Sequence, residues 1–274
     1  MFRTSKKKLL QHLKRELALE SNALVWLHSG IKGLGILEDG INTITEAFSE
    51  VLYDGILIIP TFSYSWNRME QFDRLTTECP DMGGYASKAW KNSKFQRNFN
   101  PIFSVAIMDN TADKSVAEAL VNESTKTTCF GNGSSFDLME KISASRPGHI
   151  ILLGGAHDDV VFRSTFLHLV EERVGVPYRY VKYFFNPSDH HEKVGQYVRY
   201  FSEEEYKIQT FKNPPDYYRF PIKESYNQLG NDLTNEGMIK RISFGYSETR
   251  MVEIYAFCEW LENKLLFNPE FLMN

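Results

Sequence analysis

Residues 23–60 open with Ala23-Leu-Val-Trp-Leu-His28, pass through the loop His28-Ser-Gly-Ile-Lys-Gly-Leu-Gly35, and close with Ile56-Leu-Ile-Ile-Pro60. Both apolar runs are short and bounded by turn residues, which is typical of fully buried strands. Between them, the segment from Glu38 to Leu52 repeats apolar residues at the spacing of a helix with one buried face. The order strand, glycine-rich loop, helix and strand predicts a βαβ unit.

The rest of the chain supplies further elements of the same two kinds. Strands are predicted at 103–108, 150–153, 178–185 and 196–201. Helices are predicted at 5–19, 84–92, 112–121, 135–141, 164–174 and 251–265. With 274 residues and 42% hydrophobic content, the chain can bury a large core without disulfides or metals. We therefore expect an α/β fold in a single domain, residues 1–274, with a central mixed β-sheet flanked by helices.

The overall composition argues against several classes of protein. A net charge of −4 and an isoelectric point near 6.0 disfavour nucleic-acid binding, which usually needs a basic face. The three cysteines, Cys79, Cys129 and Cys258, are widely spaced and odd in number, as expected in a reducing compartment. No apolar signal segment follows the lysines at 6–8, and no apolar run approaches the ~20 residues of a membrane span. We expect a cytoplasmic protein without nucleic-acid or membrane partners.

The loop after the first strand is a candidate anion site. Glycines at a strand-to-helix junction expose backbone N–H groups, and a helix N-terminus attracts negative charge. Ser29 and Lys32 add a hydroxyl and a cation, although the loop matches neither the Walker A nor the GxGxxG pattern. The alternative is a tight turn in which His28 packs or caps the chain, and the residues alone favour that alternative.

The segment Thr165-Phe-Leu-His168-Leu-Val-Glu171 contains a candidate for acid–base chemistry. His168 and Glu171 are three residues apart, so both lie on one side of the predicted helix. A carboxylate beside an imidazole fixes its tautomer and raises its basicity, as a general base for an amine requires. The alternative is an ordinary helical histidine with a solvated glutamate, which is the commoner use of such a pair.

Two other histidine groups suggest a metal or a charge relay. His157 and Asp158 follow a predicted strand, where loops at strand carboxyl ends often build sites. His190 and His191 are adjacent, so they point to different sides, and no second pair at ligand spacing supports a metal. We predict no metal site. Cys79 has no base near it in sequence, so a cysteine nucleophile is weakly supported.

A series of short motifs extends along the chain from about residue 5 to the C-terminal helix. They are Leu27-His28-Ser29 with Leu34-Gly35, Ile58-Ile59-Pro60-Thr61-Phe62-Ser63, Phe72-Asp73 with Thr76-Thr77, Asp81-Met82-Gly83, Arg97 with Asn100-Pro101, Ser104-Val105-Ala106, Phe130-Gly131 with Ser134, Leu152-Leu153-Gly154, and Thr165 with Leu167-His168-Leu169 and Glu171. Each motif is weak alone. Their shared order resembles that of the aminoglycoside 3-N-acetyltransferase family.

The resemblance implies an acetyl-CoA-dependent N-acetyltransferase in which the acceptor amine attacks the thioester directly, without an acyl-enzyme. It implies that His168 is the general base and that Glu171 orients it, while Thr165 is by position a candidate oxyanion stabiliser. It also implies a channel for coenzyme A, lined by His28, Ser29, Gly30, Lys32, Gly33, Gly35, Ser104, Val105, Ala106, Gly131, Ser134 and Ser135.

The acceptor side departs from the family pattern. Ser164 stands where the family has asparagine, Asn100 stands where it has histidine, and the tyrosine-rich second half matches poorly. The residues expected at the acceptor side are Asp73, Asp81, His157 and Asp158. A nucleotide-linked amino sugar would use aromatic side chains and basic residues, for which the sequence offers Arg163, Arg179, Lys182 and Arg199.

We therefore favour an amino sugar as the small-molecule substrate, nucleotide-linked and used in surface-polysaccharide synthesis. The first alternative is an aminoglycoside 3-N-acetyltransferase that confers antibiotic resistance, for which acidic neighbours are needed. The second alternative is a non-catalytic relative that binds coenzyme A, and the presence of both His168 and Glu171 argues against it. The sequence allows a homodimer but does not determine the oligomeric state.

Overall fold

A mixed sheet of seven strands lies at the centre of the protein, in a computed structural model that describes residues 1–123, 128–155 and 165–273. The described strands are β1 (Arg3–Thr4), β2 (Leu24–Ser29), β3 (Ile36–Leu37), β4 (Ile56–Pro60), β5 (Gln96–Arg97), β6 (Val105–Asp109), β7 (Gly148–Leu153), β8 (Arg179–Phe185), β9 (Lys193–Arg199), β10 (Lys240–Phe244) and β11 (Ser247–Glu253). The described helices are α1 (Lys6–Gln11, continued by a π-helical turn at His12–Glu16), α2 (Asn42–Val51), α3 (Gly83–Ala89), α4 (Ser115–Val121), α5 (Ser135–Ser143), α6 (Thr165–Val174), α7 (Glu203–Thr210), α8 (Tyr226–Asn235) and α9 (Ile254–Phe267). The predicted α/β class with a central mixed sheet is confirmed.

The predicted βαβ unit lies at the middle of this sheet. The strand order is β10-β11-β7-β2-β4-β6-β5. Strand β2 is parallel to both neighbours, with Trp26 opposite Ile58 in β4 and Ile150 in β7. The other strand pairs of this sheet are antiparallel. The unit predicted from residues 23–60 is therefore confirmed as β2, α2 and β4.

Each central strand sends alternate side chains into two separate hydrophobic cores. Trp26 and Ile58 belong to the core shared with α5, α6 and α9. Val25 and Leu57 belong to the core on the opposite face, shared with α1, α2 and α3. A strand buried on both faces carries a nearly continuous apolar run, as these two do. Each such buried side chain stabilises the fold by about 1.5–3 kcal/mol.

The C-terminal third differs most from the sequence prediction. The pattern predicts the last helix from Met251, but β11 continues through Glu253 and α9 begins only at Ile254. Strand β11 lies between β10 and β7, and it buries Thr249 and Arg250. Its polar and charged residues do not show the apolar alternation by which a strand is predicted, and the polar sequences of α7 and α8 likewise lack a clear helical pattern.

Of the helices in the described part of the chain, none is long and apolar enough to cross a membrane.

A short connection, residues 175–178, joins α6 to β8. The N–H of Gly175 donates to the carbonyl of Glu171 at 2.9 Å, and Gly175 has a φ of 74°. This left-handed conformation is common just after the end of a helix, and glycine adopts it without the steric strain of a residue that has a side chain. Strand β8 then pairs with β9 in a separate antiparallel hairpin, with Arg179 opposite Arg199.

A buried carboxylate, Glu123, ties the turn before β6 to the start of α5. Its Oε2 accepts hydrogen bonds from Ser135 at 2.6 Å and from the Asn98 amide at 2.5 Å. Its Oε1 accepts from the Asn100 amide at 3.3 Å, and the Asn100 side-chain oxygen accepts from the N–H of Phe103. Burial raises the pKa of Glu123 to about 7, against the opposing effect of its hydrogen bonds.

The free energy of unfolding is expected to depend on the protonation of Glu123. Between about pH 4.5 and 7 the unfolded chain releases this proton while the folded chain keeps it. Because the folded state then binds more protons, the unfolding free energy falls as pH rises through this window. The total fall is about 3 kcal/mol, since one pKa unit corresponds to about 1.4 kcal/mol.

Denaturant unfolding of the wild type and of Glu123→Gln across this pH window measures the effect. The amide does not titrate, so the variant is expected to lose this component of the pH dependence whatever its absolute stability. The matched control is Glu118→Gln, at an exposed position, which keeps the component. A pH dependence that is identical in the wild type and Glu123→Gln would contradict the raised pKa.

Candidate active site

His168 and Glu171 lie one turn apart on α6 and share a hydrogen bond. His168 Nδ1 is 2.8 Å from Glu171 Oε2, so the two side chains lie on one side of the helix, as their spacing predicts. An ionised carboxylate can only accept a hydrogen bond, so Nδ1 carries the hydrogen. In the neutral imidazole, Nε2 is then the proton acceptor.

The Glu171 side chain has no exposed surface and binds two more groups. Tyr178 donates its hydroxyl to Oε1 at 2.9 Å, and Arg179 Nε lies 2.9 Å from Oε2. Burial alone would raise the pKa of Glu171, but Arg179, His168 and Tyr178 outweigh it and hold the pKa below its ordinary value. Glu171 is therefore a carboxylate at neutral pH, and the alternative of a solvated glutamate is wrong.

The network continues from Arg179 to a second buried carboxylate. Arg179 donates to Glu224 through Nη2 and to the carbonyl of Tyr197 through Nη1, the latter at 3.0 Å. Arg199 lies 3.6 Å from the other Glu224 oxygen. Burial opposes the charge of Arg179, but the two carboxylates raise its pKa, so it stays protonated. Negative and positive charges thus alternate along the series Glu171, Arg179, Glu224 and Arg199.

A cavity of about 420 Å³ adjoins this network, a size that suits a small ligand. Its lining comes from α6, the β8–β9 hairpin with the residues just after it, the start of α8, and the segments that follow β4 and precede β6. The lining residues are Phe62, Tyr64, Phe103, His168, Arg179, Gln196, Tyr197, Val198, Arg199, Phe201 and Tyr226. Within this described lining, His168 is the one imidazole, the kind of side chain that most often serves as a general base.

The loop at 28–35 has a different setting from the one expected. After Gly35 the chain enters β3, and α2 begins only at Asn42, so the prediction of a helix directly after this loop is wrong. A Cβ atom on Gly33 would lie 2.1 Å from the carbonyl oxygen of Gly154. Gly33 therefore allows a close backbone contact. Gly35 has a φ of 75°, which also favours glycine.

His28, at the end of β2, is connected to the cavity through aromatic rings. Its Nε2 accepts a hydrogen bond from Trp26 Nε1 at 2.8 Å, and burial lowers the pKa of His28 to about 4. Trp26 in turn stacks on Phe62, a cavity residue, with 6.2 Å between ring centroids. Ser29 and Gly30 are half-buried, as His28 is, and Lys32 is exposed.

Three residues expected along a coenzyme A channel lie inside the core. Ser104 accepts a hydrogen bond from Arg97 at 2.8 Å and donates one to the Thr61 carbonyl at 2.5 Å. Val105 and Ala106 have no exposed surface, because they point from β6 into the two opposite cores. In the described conformation all three have structural positions and do not line an open channel.

The turn before α5 contains the remaining residues expected near coenzyme A. Ser134 is the N-cap of α5 and accepts from the N–H of Asp137 at 3.2 Å. Ser135 is fully buried and binds Glu123. Gly131 is half-buried, so it is the most accessible of the three.

The residues expected at the acceptor side are not brought together by the described structure. Asp73 and Asp81 are exposed in the segment between β4 and α3, and neither lines the cavity. His157 and Asp158 lie outside the described residues. Thr165 opens α6 directly before the histidine turn, and its side chain also lies outside the description.

The structure adds site residues that the sequence analysis did not single out. They are Glu224, which binds both arginines, and the cavity residues Tyr64, Gln196 and Tyr226. Glu224 stands in an irregular segment before α8, where neither periodicity nor a motif marks it. Among the described side chains, no group of three or more His, Cys, Asp or Glu could hold a metal ion.

Comparison with solved structures finds similar folds. A histidine-to-alanine variant of aminoglycoside acetyltransferase AAC(3)-IVa, in complex with gentamicin, has a TM-score of 0.76 at 19% identity over 100% of this chain and 93% of that one. AAC-IIIb, in a binary complex with CoASH, has a TM-score of 0.72 at 16% identity, with 96% of each chain covered. YokD from Bacillus subtilis has a TM-score of 0.70 at 16% identity, covering 98% of this chain and 96% of that one. At these identities the likeness establishes the fold.

The family is established by the sequence itself. A search of curated proteins gives no significant match. A family model described as aminoglycoside 3-N-acetyltransferase, however, matches residues 26–265, which is most of the chain. The predicted class of enzyme, an N-acetyltransferase that uses acetyl-CoA, is confirmed at the level of the family. The chain belongs to the aminoglycoside 3-N-acetyltransferase family.

Proposed function

We propose that the protein transfers an acyl group, acetyl in the simplest case, from coenzyme A to the amine of a small amino sugar. One observation carries the proposal: His168 lines a ligand-sized cavity while its Nδ1 is held by a fully buried carboxylate. A neutral imidazole in that tautomer accepts protons at Nε2. Family membership supports acetyl-CoA as the donor.

In the proposed reaction, the acceptor amine attacks the thioester carbonyl directly. As the N–C bond forms, His168 Nε2 takes a proton from the amine, and the carbonyl oxygen gains negative charge. When the intermediate collapses, the C–S bond breaks and the sulfur of coenzyme A takes up the proton. The Glu171 carboxylate stabilises the imidazolium between these two steps. Thr165 is our candidate for the oxyanion, where one donor is typically worth about 3 kcal/mol.

We place coenzyme A along the loop at 28–35 and the turn at 131–135. This assignment rests on the family resemblance, on the half-buried Ser29 and Gly30 and the exposed Lys32, and on the contacts that connect His28 to the cavity through Trp26. Asp73, Asp81, His157 and Asp158 remain proposals for the acceptor side. Asp73 and Asp81 would contact only a part of the acceptor that extends beyond the cavity.

Two classes of amine compete as the acceptor. The first is a nucleotide-linked amino sugar of surface-polysaccharide synthesis, which is favoured by the arginines and aromatic rings of the cavity. The second is an aminoglycoside, which would make the protein an antibiotic-resistance enzyme. The family description and the gentamicin complex of AAC(3)-IVa favour the second class at least as strongly.

A screen of both classes with acetyl-CoA tests the reaction. Release of the coenzyme A thiol is measured with a chromogenic thiol reagent, and the acylated product is identified by mass spectrometry. We expect acceptor-dependent thiol release with at least one amino sugar. If no amine of either class is acylated, whether or not thiol is released, the proposal is contradicted.

Replacing the proposed base should remove turnover and spare donor binding. For His168→Ala we expect kcat to fall by about 10²- to 10⁴-fold, the usual cost of losing a general base. The Kd of coenzyme A, measured by calorimetry, should change little. The control is His190→Ala, at an exposed position outside the cavity. Full activity of His168→Ala would show that another group takes the proton.

Glu171 is proposed as a positioning residue for His168. In Glu171→Gln, the amide NH₂ can face Nδ1, which favours the tautomer protonated on Nε2 and blocks proton transfer. We expect kcat to fall by about 10²- to 10⁴-fold while the KM for acetyl-CoA stays within about twofold. The matched control is Glu172→Gln, because this adjacent carboxylate binds Thr128 instead. Equal loss in both variants would indicate general destabilisation.

A further inference from the structure

The charge of the cavity beside His168 is unusual for a site that would receive a polycation. Two arginines, Arg179 and Arg199, line it. Across residues 1–123, 128–155 and 165–273, no aspartate or glutamate is among the lining residues. The side chains of the nearby Glu171 and Glu224 have no exposed surface, and both carboxylates are paired with Arg179. Among the described residues, a ligand in this cavity therefore meets cationic groups and aromatic rings but no carboxylate.

The two arginines differ in their free hydrogen-bonding capacity. Arg179 is 6% exposed, and its three guanidinium nitrogens lie against Glu171, Glu224 and the Tyr197 carbonyl. Arg199 is 36% exposed, and its ion pair is a single contact of 3.6 Å to Glu224, which Arg179 approaches more closely. A guanidinium has five N–H donors in a fork that suits a carboxylate or a phosphate. Arg199 has donors left for such a group.

We propose that Arg199 binds an anionic group, a carboxylate or a phosphate, on the acceptor whose amine is acylated. This inference rests on the proposed function, because it concerns the second substrate of the same site. The anion would replace the long contact to Glu224 with a short, charge-assisted pair. An ammonium at the same position would be repelled, since the carboxylates that balance Arg179 are out of reach.

The surroundings of Arg199 fit a sugar that carries such a group. The Phe201 ring is 57% exposed and lies with its centroid 5.4 Å from the guanidinium. An exposed ring at a cavity wall can pack on the apolar face of a sugar or on a base. Gln196, held by Asn67 at 2.7 Å, adds a fixed polar group to the same wall. The wall thus combines a cation, a ring and an amide.

Binding to the wild-type enzyme saturated with coenzyme A tests this proposal without any turnover. The Kd is measured by calorimetry for glucosamine, muramic acid, glucosamine 6-phosphate, UDP-glucosamine and gentamicin. We expect at least one anionic compound to bind about tenfold or more tightly than glucosamine, which carries no anionic group, and more tightly than gentamicin. The muramic acid, phosphate and UDP arms distinguish a sugar carboxylate, a phosphomonoester and a nucleoside diphosphate. Tightest binding of gentamicin would overturn the proposal.

The variant Arg199→Gln assigns the effect to this side chain. We expect it to weaken binding of the preferred anionic compound by about 10- to 100-fold and to leave glucosamine and coenzyme A within about twofold. Arg199→Lys keeps the charge without the fork and should retain part of the affinity. The matched control, Arg241→Gln, removes an arginine of similar exposure, 37%, whose partner Glu248 is not part of the cavity lining.

The possible failures are distinguishable from one another. An equal loss in Arg199→Gln and Arg241→Gln, or a loss of coenzyme A affinity in Arg199→Gln alone, would overturn the proposal. The latter result would place a phosphate of coenzyme A at Arg199. If anionic compounds bind through Arg199 but no amine is acylated in the screen, the proposed function fails while the anion site stands. If amines are acylated but no anionic compound binds more tightly than glucosamine, the anion site fails while the proposed function stands.

Discussion

The buried carboxylate of Glu171 is the interaction on which the site depends. A charge without solvent is costly unless it is paired and hydrogen-bonded, and removing one partner of such a pair typically costs about 3–5 kcal/mol. Glu171 meets this requirement through His168 on the same helix, Tyr178 in the turn that follows it and Arg179 at the start of β8. The same contacts that make this charge tolerable also fix the orientation of the imidazole. The contacts that stabilise the buried charge of Glu171 are therefore the ones on which the proposed role of His168 depends.

The fold brings these groups together through a single reversal of the chain. Helix α6 ends at Val174 and the chain turns at Gly175, so that Arg179, the first residue of β8, lies 2.9 Å from the carboxylate of Glu171 in the last turn of the helix. The β8–β9 hairpin then places Arg199 beside Arg179, and Glu224 lies between their guanidinium groups. The cavity is the space between this hairpin and the aromatic residues that follow β4. In the central sheet, the cavity adjoins the end of β4 and the start of β6.

Local pattern predicted the parts of the fold that are buried on both sides. The runs at β2 and β4 are apolar throughout because both faces are covered, so their positions follow from the sequence. The positions of the polar strand β11 and of helix α8 do not follow from the sequence pattern, because tertiary contacts determine their secondary structure. The pair of His168 and Glu171 was visible from its spacing, but the burial of the glutamate was not. Glu224 could not be predicted, since its role depends on two arginines brought near it by the folded hairpin.

The central claim is that Glu171 holds His168 in the tautomer whose Nε2 accepts the proton of the amine. Long-range ¹⁵N–¹H spectra of histidine-labelled protein, with the His168→Ala sample for assignment, report which ring nitrogen carries the hydrogen. The account predicts hydrogen on Nδ1 and a bare Nε2 for neutral His168, and a change in this signal in Glu171→Gln. Neutral His168 with its hydrogen on Nε2 in the wild type would contradict the account.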